Sequence, residues 1–251
     1  MNDRSLFLRW YAPAAVCGAM AIFSFLVTAA EPTKIPARDG ESPPQELVGM
    51  PLVFFDNFES EMADRWEQSA PQAWKIAEQN GNHIYSQFRH VETPTPVRSP
   101  FNRALVKNLL VGDFVLDVKL QSTIKDYDHR DMCLFFGFQD PAHLYYVHLG
   151  KKADDHANQI FIVNNAPRKK ISTTSSAGTP WTDGWHHARI VRKIEPGTIE
   201  IFFDDMEKAV MTATDKTFVW GQVGIGTFDD TGNFDDVALY GTKTERPADS
   251  K

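Results

Sequence analysis

The sequence predicts an all-β protein, a two-sheet antiparallel jelly-roll sandwich, on three observations. Beyond residue 50 the apolar residues fall in about a dozen short runs rich in Val, Ile, Phe and Tyr, the types that suit a pleated surface. Turn chemistry separates them at short intervals, as at Asn80-Gly81, Asp140-Pro141, Pro196-Gly197 and Asp229-Asp230-Thr231-Gly232-Asn233. No stretch there repeats apolar residues at helical spacing.

The chain opens with Arg4 and Arg9, then an apolar stretch from Trp10 to Ala30 that ends in small residues before Glu31-Pro32. This is the layout of a secretory signal peptide over residues 1–30, cleaved after Ala29 or Ala30. Uncleaved, the stretch is long enough to span a bilayer, which is the one route to a membrane. The expected location is therefore periplasmic, extracellular or at the cell surface. Cys17 falls inside the apolar run and reads as incidental. Its removal leaves Cys133 alone in MCLFFGF, where it reads as a small buried hydrophobe. The net charge is −7, and residues 1–30 are themselves net positive, so the remainder is more acidic still. An acidic chain with no basic stripe argues against nucleic acid as a partner.

Residues 31–50 are rich in Pro and charge and read as a disordered leader or linker. The domain spans 51–243, and 244–251 is a flexible tail. Its first strand is Leu52–Phe55. Short runs around Trp66 and Trp74 follow, and then His83–Arg89 after the Asn80-Gly81-Asn82 turn. Val91–Pro100 holds too many prolines for an internal strand and reads as a loop. From Asp113 the alternation sharpens: Phe114, Leu116, Val118 and Leu120 face a core, with Asp117, Lys119 and Gln121 opposite. Lys169–Ser176 looks like a strand end and loop. The later strands are Trp185–Lys193, Thr198–Asp204, Ala209–Ala213, Gln222–Phe228 and Phe234–Tyr240, with Asp205-Met206-Glu207-Lys208 read as a turn.

The centre is Met132–Asn165. Three apolar runs with little polar alternation mark the middle of a sandwich. Tyr146 and His148 share strand parity and so point the same way. A polar loop follows, carrying Lys151, Asp154, Asp155, His156, Asn158 and Gln159.

Four pieces carry a resemblance: DNFES after the first strand, the strand DFVLDVKL, the hairpin WHHARIVRKIEPGTIEIFFDD, and the closing GQVGIGTFDDTGNFDDVALYG. In these the chain resembles the concanavalin A-like lectin/glucanase superfamily, including laminin-G-like and 3-keto-disaccharide hydrolase-type domains. The resemblance implies a jelly roll whose concave sheet holds a glycan. It also implies a structural Ca2+ where the first and last strands meet, for which Asp56, Glu59, Asp235 and Asp236 are the ligand candidates. The alternative for these acids is ordinary turn chemistry. The catalytic signature of the laminarinase-type members, three carboxylates on one strand face, is missing. In Glu200-Ile-Phe-Phe-Asp204-Asp205-Met-Glu207, Phe202 stands where the middle acid belongs.

The histidines His129, His143, His148, His156, His186 and His187 have irregular spacings that match no zinc motif. The aromatic supply is large, and Tyr146 and Trp181 are the expected platforms for a sugar ring. The expected ligand site gathers Arg130, Asp131, Tyr146, His148, Lys151, His156, Asn158, Gln159 and Trp181, with Arg130 and Lys151 offsetting an acidic sugar. The reading is an exported carbohydrate-binding domain for a polysaccharide or oligosaccharide. A glycan-cleaving enzyme and a structural laminin-G-like module are the alternatives.

Overall fold

The computed structural model describes residues 42–248; the expected signal segment and most of the leader lie outside them. The strands in chain order are β1 (Glu46–Leu47), β2 (Met50–Asp56), β3 (Trp66–Gln68), β4 (Trp74–Gln79), β5 (Asn82–Gln87) and β6 (Asn102–Val106). They continue as β7 (Val111–Ser122), β8 (Cys133–Asp140), β9 (His143–His148), β10 (Gln159–Asn164), β11 (Lys169–Lys170) and β12 (Ser172–Ser175). The last are β13 (His186–Lys193), β14 (Thr198–Phe203), β15 (Asp205–Thr214), β16 (Gln222–Thr227) and β17 (Gly232–Lys243).

They form two antiparallel sheets. The ten-stranded sheet runs β1-β2-β17-β7-β13-β14-β15-β12, with β5 also on β17 and β4 on β5. The seven-stranded sheet runs β11-β10-β9-β8-β16-β6-β3. The alternation in β7 does what period two requires: Phe114, Leu116, Val118 and Leu120 enter the core between the sheets. Leu134 and Phe136 of β8, Tyr145 and Val147 of β9, and Ile160 and Ile162 of β10 meet them from the other sheet. The fold class is the one expected from the sequence.

Local chemistry sets the connections. Asn80 and Gly81 both have positive φ, 56° and 81°, which gives the β4–β5 hairpin the turn whose twist suits paired strands. Segment 169–176 supplies two strands, with β11 pairing β10 of one sheet and β12 pairing β15 of the other. Two expectations shift. Glu46–Leu47 folds back on Met50-Pro51 through Val48 and Gly49, both at positive φ, so strand structure begins inside the expected leader. Asp205–Lys208 is strand rather than turn, because Asp204 alone reverses the chain at φ 59° and bulges near Phe202 absorb the misfit.

β16 lies between β6 and β8, and its glycines let the backbones close. A Cβ on Gly226 would lie 2.0 Å from the Asn102 carbonyl oxygen, a contact that only strand separation relieves. Gly226→Ala should therefore lower stability by about 1–3 kcal/mol, read as a reduced urea midpoint with unchanged slope. An unchanged midpoint would show that β6 and β16 are held less tightly than described.

Candidate functional site

The register of β8, β9 and β10 places Cys133 opposite His148, Phe135 opposite Tyr146, and Tyr146 opposite Phe161. Parity turns these residues to the outer face of the seven-stranded sheet. There they form a second apolar cluster with Leu105, Phe138, Leu144, Val163 and Phe228, with Val97 and Phe101 of the β5–β6 loop packed against it. The rings are ordered: Tyr146 stacks on Phe161 at 5.1 Å and 17°, and His148 stacks on Phe228 at 5.7 Å and 7°. The Arg168 guanidinium sits 4.3 Å above the Phe228 ring and donates to the Tyr146 hydroxyl oxygen at 2.9 Å. Tyr146 is thus a buried member of this cluster and presents no exposed platform.

Polar residues gather where β8 begins and β9 ends. Asp131 is 1 % exposed; its Oδ1 accepts from the Phe228 amide at 3.0 Å, and its own amide donates to Asp230 Oδ2 at 2.8 Å. Tyr127 hydroxyl donates to Asp230 Oδ1 at 2.7 Å. The Cys133 thiol lies 3.9 Å from Asp131 Oδ1. His148 Nε2 lies 3.3 Å from Asp131 Oδ2, at an angle that makes no hydrogen bond, and neither ring nitrogen has a hydrogen-bond partner among the described residues. Burial and the Asp131 charge push the Asp229 carboxyl upward, and the same causes push Asp230 up to about 6. Burial pushes the Cys133 thiol well up. Among the described residues, two groups have donor atoms within 4.8 Å of one another: Asp131–Cys133–His148 and Asp131–Asp229–Asp230.

The other expected site residues mostly brace loops. Arg130 is buried and donates to Ser122 Oγ and carbonyl, the Thr182 carbonyl and Asp183 Oδ1. Lys151 is bonded to Asp126, which also lies 3.7 Å from Arg130. The two cations expected to face a ligand are therefore already matched by this protein's own carboxylates. Asp154 Oδ1 accepts the amides of His156 and Ala157, which folds the loop and leaves the His156 side chain exposed. Asn158, fully buried at φ 54°, donates to Ser176 and accepts from Thr179. Gln159 Nε2 donates to the Asp154 carbonyl. Trp181 is core: its Nε1 donates to the Leu149 carbonyl and its ring meets Phe203 edge-on.

These loops nonetheless converge. The Lys151 amide donates to Arg130, the Lys152 amide to Asp128, and the Thr179 amide to Gly150. With Tyr127 on Asp230, loops 123–131, 149–158, 176–184 and 228–231 share one end of the sandwich. Tyr127 in that group is 40 % exposed, an aromatic ring set in the polar stretch KDYDHR and so outside every apolar run.

Neither a protein-family model nor a curated protein matches the sequence. Solved structures do. The carbohydrate-binding module CBM66 from Bacillus subtilis superposes with a TM-score of 0.50 at 16 % identity, over 70 % of this chain and 95 % of that one. Peanut lectin, solved with a nine-residue peptide, gives 0.48 at 12 % over 78 % and 99 %. Winged bean acidic lectin with methyl-α-D-galactose gives 0.48 at 11 % over 76 % and 98 %. The fold is a concanavalin A-like jelly roll. At these identities the likeness extends to the fold alone.

The four carboxylates expected to hold calcium are otherwise engaged. Asp56 accepts from the Phe58 amide and from Trp66 Nε1, and Glu59 pairs with His83. Asp236 pairs with Lys119 at 2.8 Å. Asp235 accepts from Asn82 Nδ2 at 2.8 Å and from the Asp236 amide at 2.7 Å. Indole, amide and cationic partners occupy these oxygens, and among the described residues the acidic groups whose donor atoms converge lie around Asp131. The run Glu200–Glu207 is likewise structural, with Asp204 bonded to His186 Nδ1 and the His187 amide.

Burial raises Asp235 to about 6 from an ordinary value near 3.8. The folded state thus binds more protons than the unfolded one between about pH 4 and pH 6, and stability falls as pH rises through that window. Asp235→Asn, which keeps an oxygen for Asn82, should shrink the loss of Tm between about pH 4.5 and about pH 7.5. An identical loss in the variant would show that Asp235 ionises freely.

Proposed function

We propose that this is an exported carbohydrate-binding domain that holds its ligand at the loop end of the sandwich, around Tyr127, His129 and Asp229. One observation carries the reading. The exposed Tyr127 ring has its hydroxyl fixed on Asp230, and the exposed Asp229 carboxylate lies within 4.8 Å of Asp131 and Asp230 donor atoms. A flat ring with a carboxylate beside it combines stacking on a sugar face with acceptance of hydroxyl protons. The exposed imidazoles of His129 and His156 add polar contacts at the same end. The shared fold with a carbohydrate-binding module supports the assignment, and the N-terminal Arg residues and apolar run support export.

The test is a glycan array followed by calorimetry on the best saccharide. Tyr127→Ala and Asp229→Asn should each weaken binding at least about tenfold, a loss of roughly 1.4 kcal/mol, while Tyr127→Phe keeps the ring and most of the affinity. No saccharide bound by the folded protein, or full affinity in Tyr127→Ala, would sink this site. A hydrolytic reading has one observation in its favour: Asp131, Asp229 and Asp230 bring three carboxylates within 4.8 Å of one another, the kind of set acid–base chemistry uses. Reducing ends released from the same library, and lost in Asp230→Asn, would replace the binding reading with catalysis.

A further inference from the structure

The outer face of the seven-stranded sheet holds a donor set that carbohydrate recognition does not use. Asp131 stands just before β8, Cys133 is two residues on with the same parity, and His148 of β9 is the cross-strand partner of Cys133. A carboxylate oxygen, a sulfur and an imidazole nitrogen therefore converge within 4.8 Å of one another, all three residues buried.

His148 supplies the second, independent observation. Its ring is 6 % exposed, stacked on Phe228, and neither nitrogen makes a hydrogen bond among the described residues although Nε2 stands 3.3 Å from Asp131 Oδ2. A buried imidazole with both nitrogens unmatched is costly unless something else occupies its lone pair.

We infer that Asp131, Cys133 and His148 form a binding site for a thiophilic divalent metal ion of the Zn2+ class. The spacing fits. Bonds of about 2.0–2.3 Å in a tetrahedron separate neighbouring donor atoms by roughly 3.3–3.5 Å. His148 Nε2 lies 3.3 Å from Asp131 Oδ2 and Cys133 Sγ lies 3.9 Å from the other oxygen of that carboxylate, Oδ1, so an ion between them would engage both oxygens or draw the sulfur in by a few tenths of an ångström. The fourth position is left to water, and the exposed Asp229, with a donor atom within 4.8 Å of Asp131, marks the side nearest solvent. The surroundings orient the ligands: the Phe228 amide fixes Asp131 Oδ1, and Asp230, held by Tyr127, accepts the Asp131 amide. Sulfur and imidazole select Zn2+, Co2+ or similar ions over Ca2+, which wants six to eight oxygens. The same three residues also contain a thiol, a base and an acid, but Cys133 has no exposed surface from which to attack a substrate. The inference does not depend on the carbohydrate reading.

The experiment is a Co2+ titration of untagged, EDTA-treated full chain, followed by absorbance with no saccharide present. Binding at Cys133 gives a near-ultraviolet thiolate-to-cobalt band that saturates at one equivalent and is displaced by Zn2+. Cys133→Ser, a near-isosteric change checked by circular dichroism, should abolish that band. His148→Gln should weaken Co2+ binding at least about tenfold. Cys17→Ser should leave the band intact. A folded wild-type protein without the band, a band that survives in Cys133→Ser, or one that follows Cys17 would overturn the site. Displacement of Co2+ by millimolar Ca2+ would overturn the metal class. Failure here leaves saccharide binding untouched, and failure of saccharide binding leaves this titration untouched.

Discussion

The constraint on which the rest of the structure depends is that the seven-stranded sheet is buried on both faces. One face meets the ten-stranded sheet through Leu134, Phe136, Tyr145 and Val147. The other, carrying Phe135, Tyr146, Phe161 and Phe228, has no partner sheet among the described residues and is covered by loops. That demand explains the proline-rich segment before β6, which lays Val97 and Phe101 on the rings, and Arg168, whose stem and guanidinium roof Phe161 and Phe228. With the broad face closed, the chemistry-bearing residues are left to the end of the sheet, where loops meet.

Buried guanidinium groups tie those loops to the strands. Arg130 spans from Ser122 to Thr182 and so joins the end of β7 to the segment before β13. Arg192 does the same at the opposite end, donating to the carbonyls of Gly197, Asp215 and Phe218 while fully buried. Burial holds its guanidinium below the usual value, yet a group that starts so high stays charged. A planar fork of donors satisfies several loop carbonyls at once, which a lysine in the same place would not do.

Most of the fold was legible from the chain. Period-two alternation in β7 and the turn residues at Asn80-Gly81 and Pro196-Gly197 are local signals, and local signals survive in a sequence. The two-sided apolarity of Met132–Asn165 was legible as well, but the occupant of the second face was not, because loop cover leaves no periodic trace. The site was legible only in part. Tyr146 and Trp181 look like sugar platforms in a list of aromatics, and the structure gives them to packing and to hydrogen bonds with Arg168 and Leu149. Tyr127 gave no apolar signal. The meeting of Cys133 with His148 depends on strand register, and register is a long-range property that histidine spacing along the chain cannot express.

The long strand β17 has a consequence for how the molecule is made. Its first residues pair with β5, its later ones with β2, and most of its length, across two bulges, with β7. Without it, β2 retains only the two-residue β1 and β5 retains only β4. Asp56, near the start of the domain, waits for Val237. A chain emerging from the ribosome therefore cannot close the ten-stranded sheet until β17 is available, and its early strands stay open-edged throughout synthesis. Such non-local pairing slows folding and leaves exposed edges exposed for longer. The early strands carry some protection: Lys75 and Glu78 charge β4, and Pro51, with no backbone N–H to donate, stands near the start of β2, features that discourage edge-to-edge association while the partner is still missing.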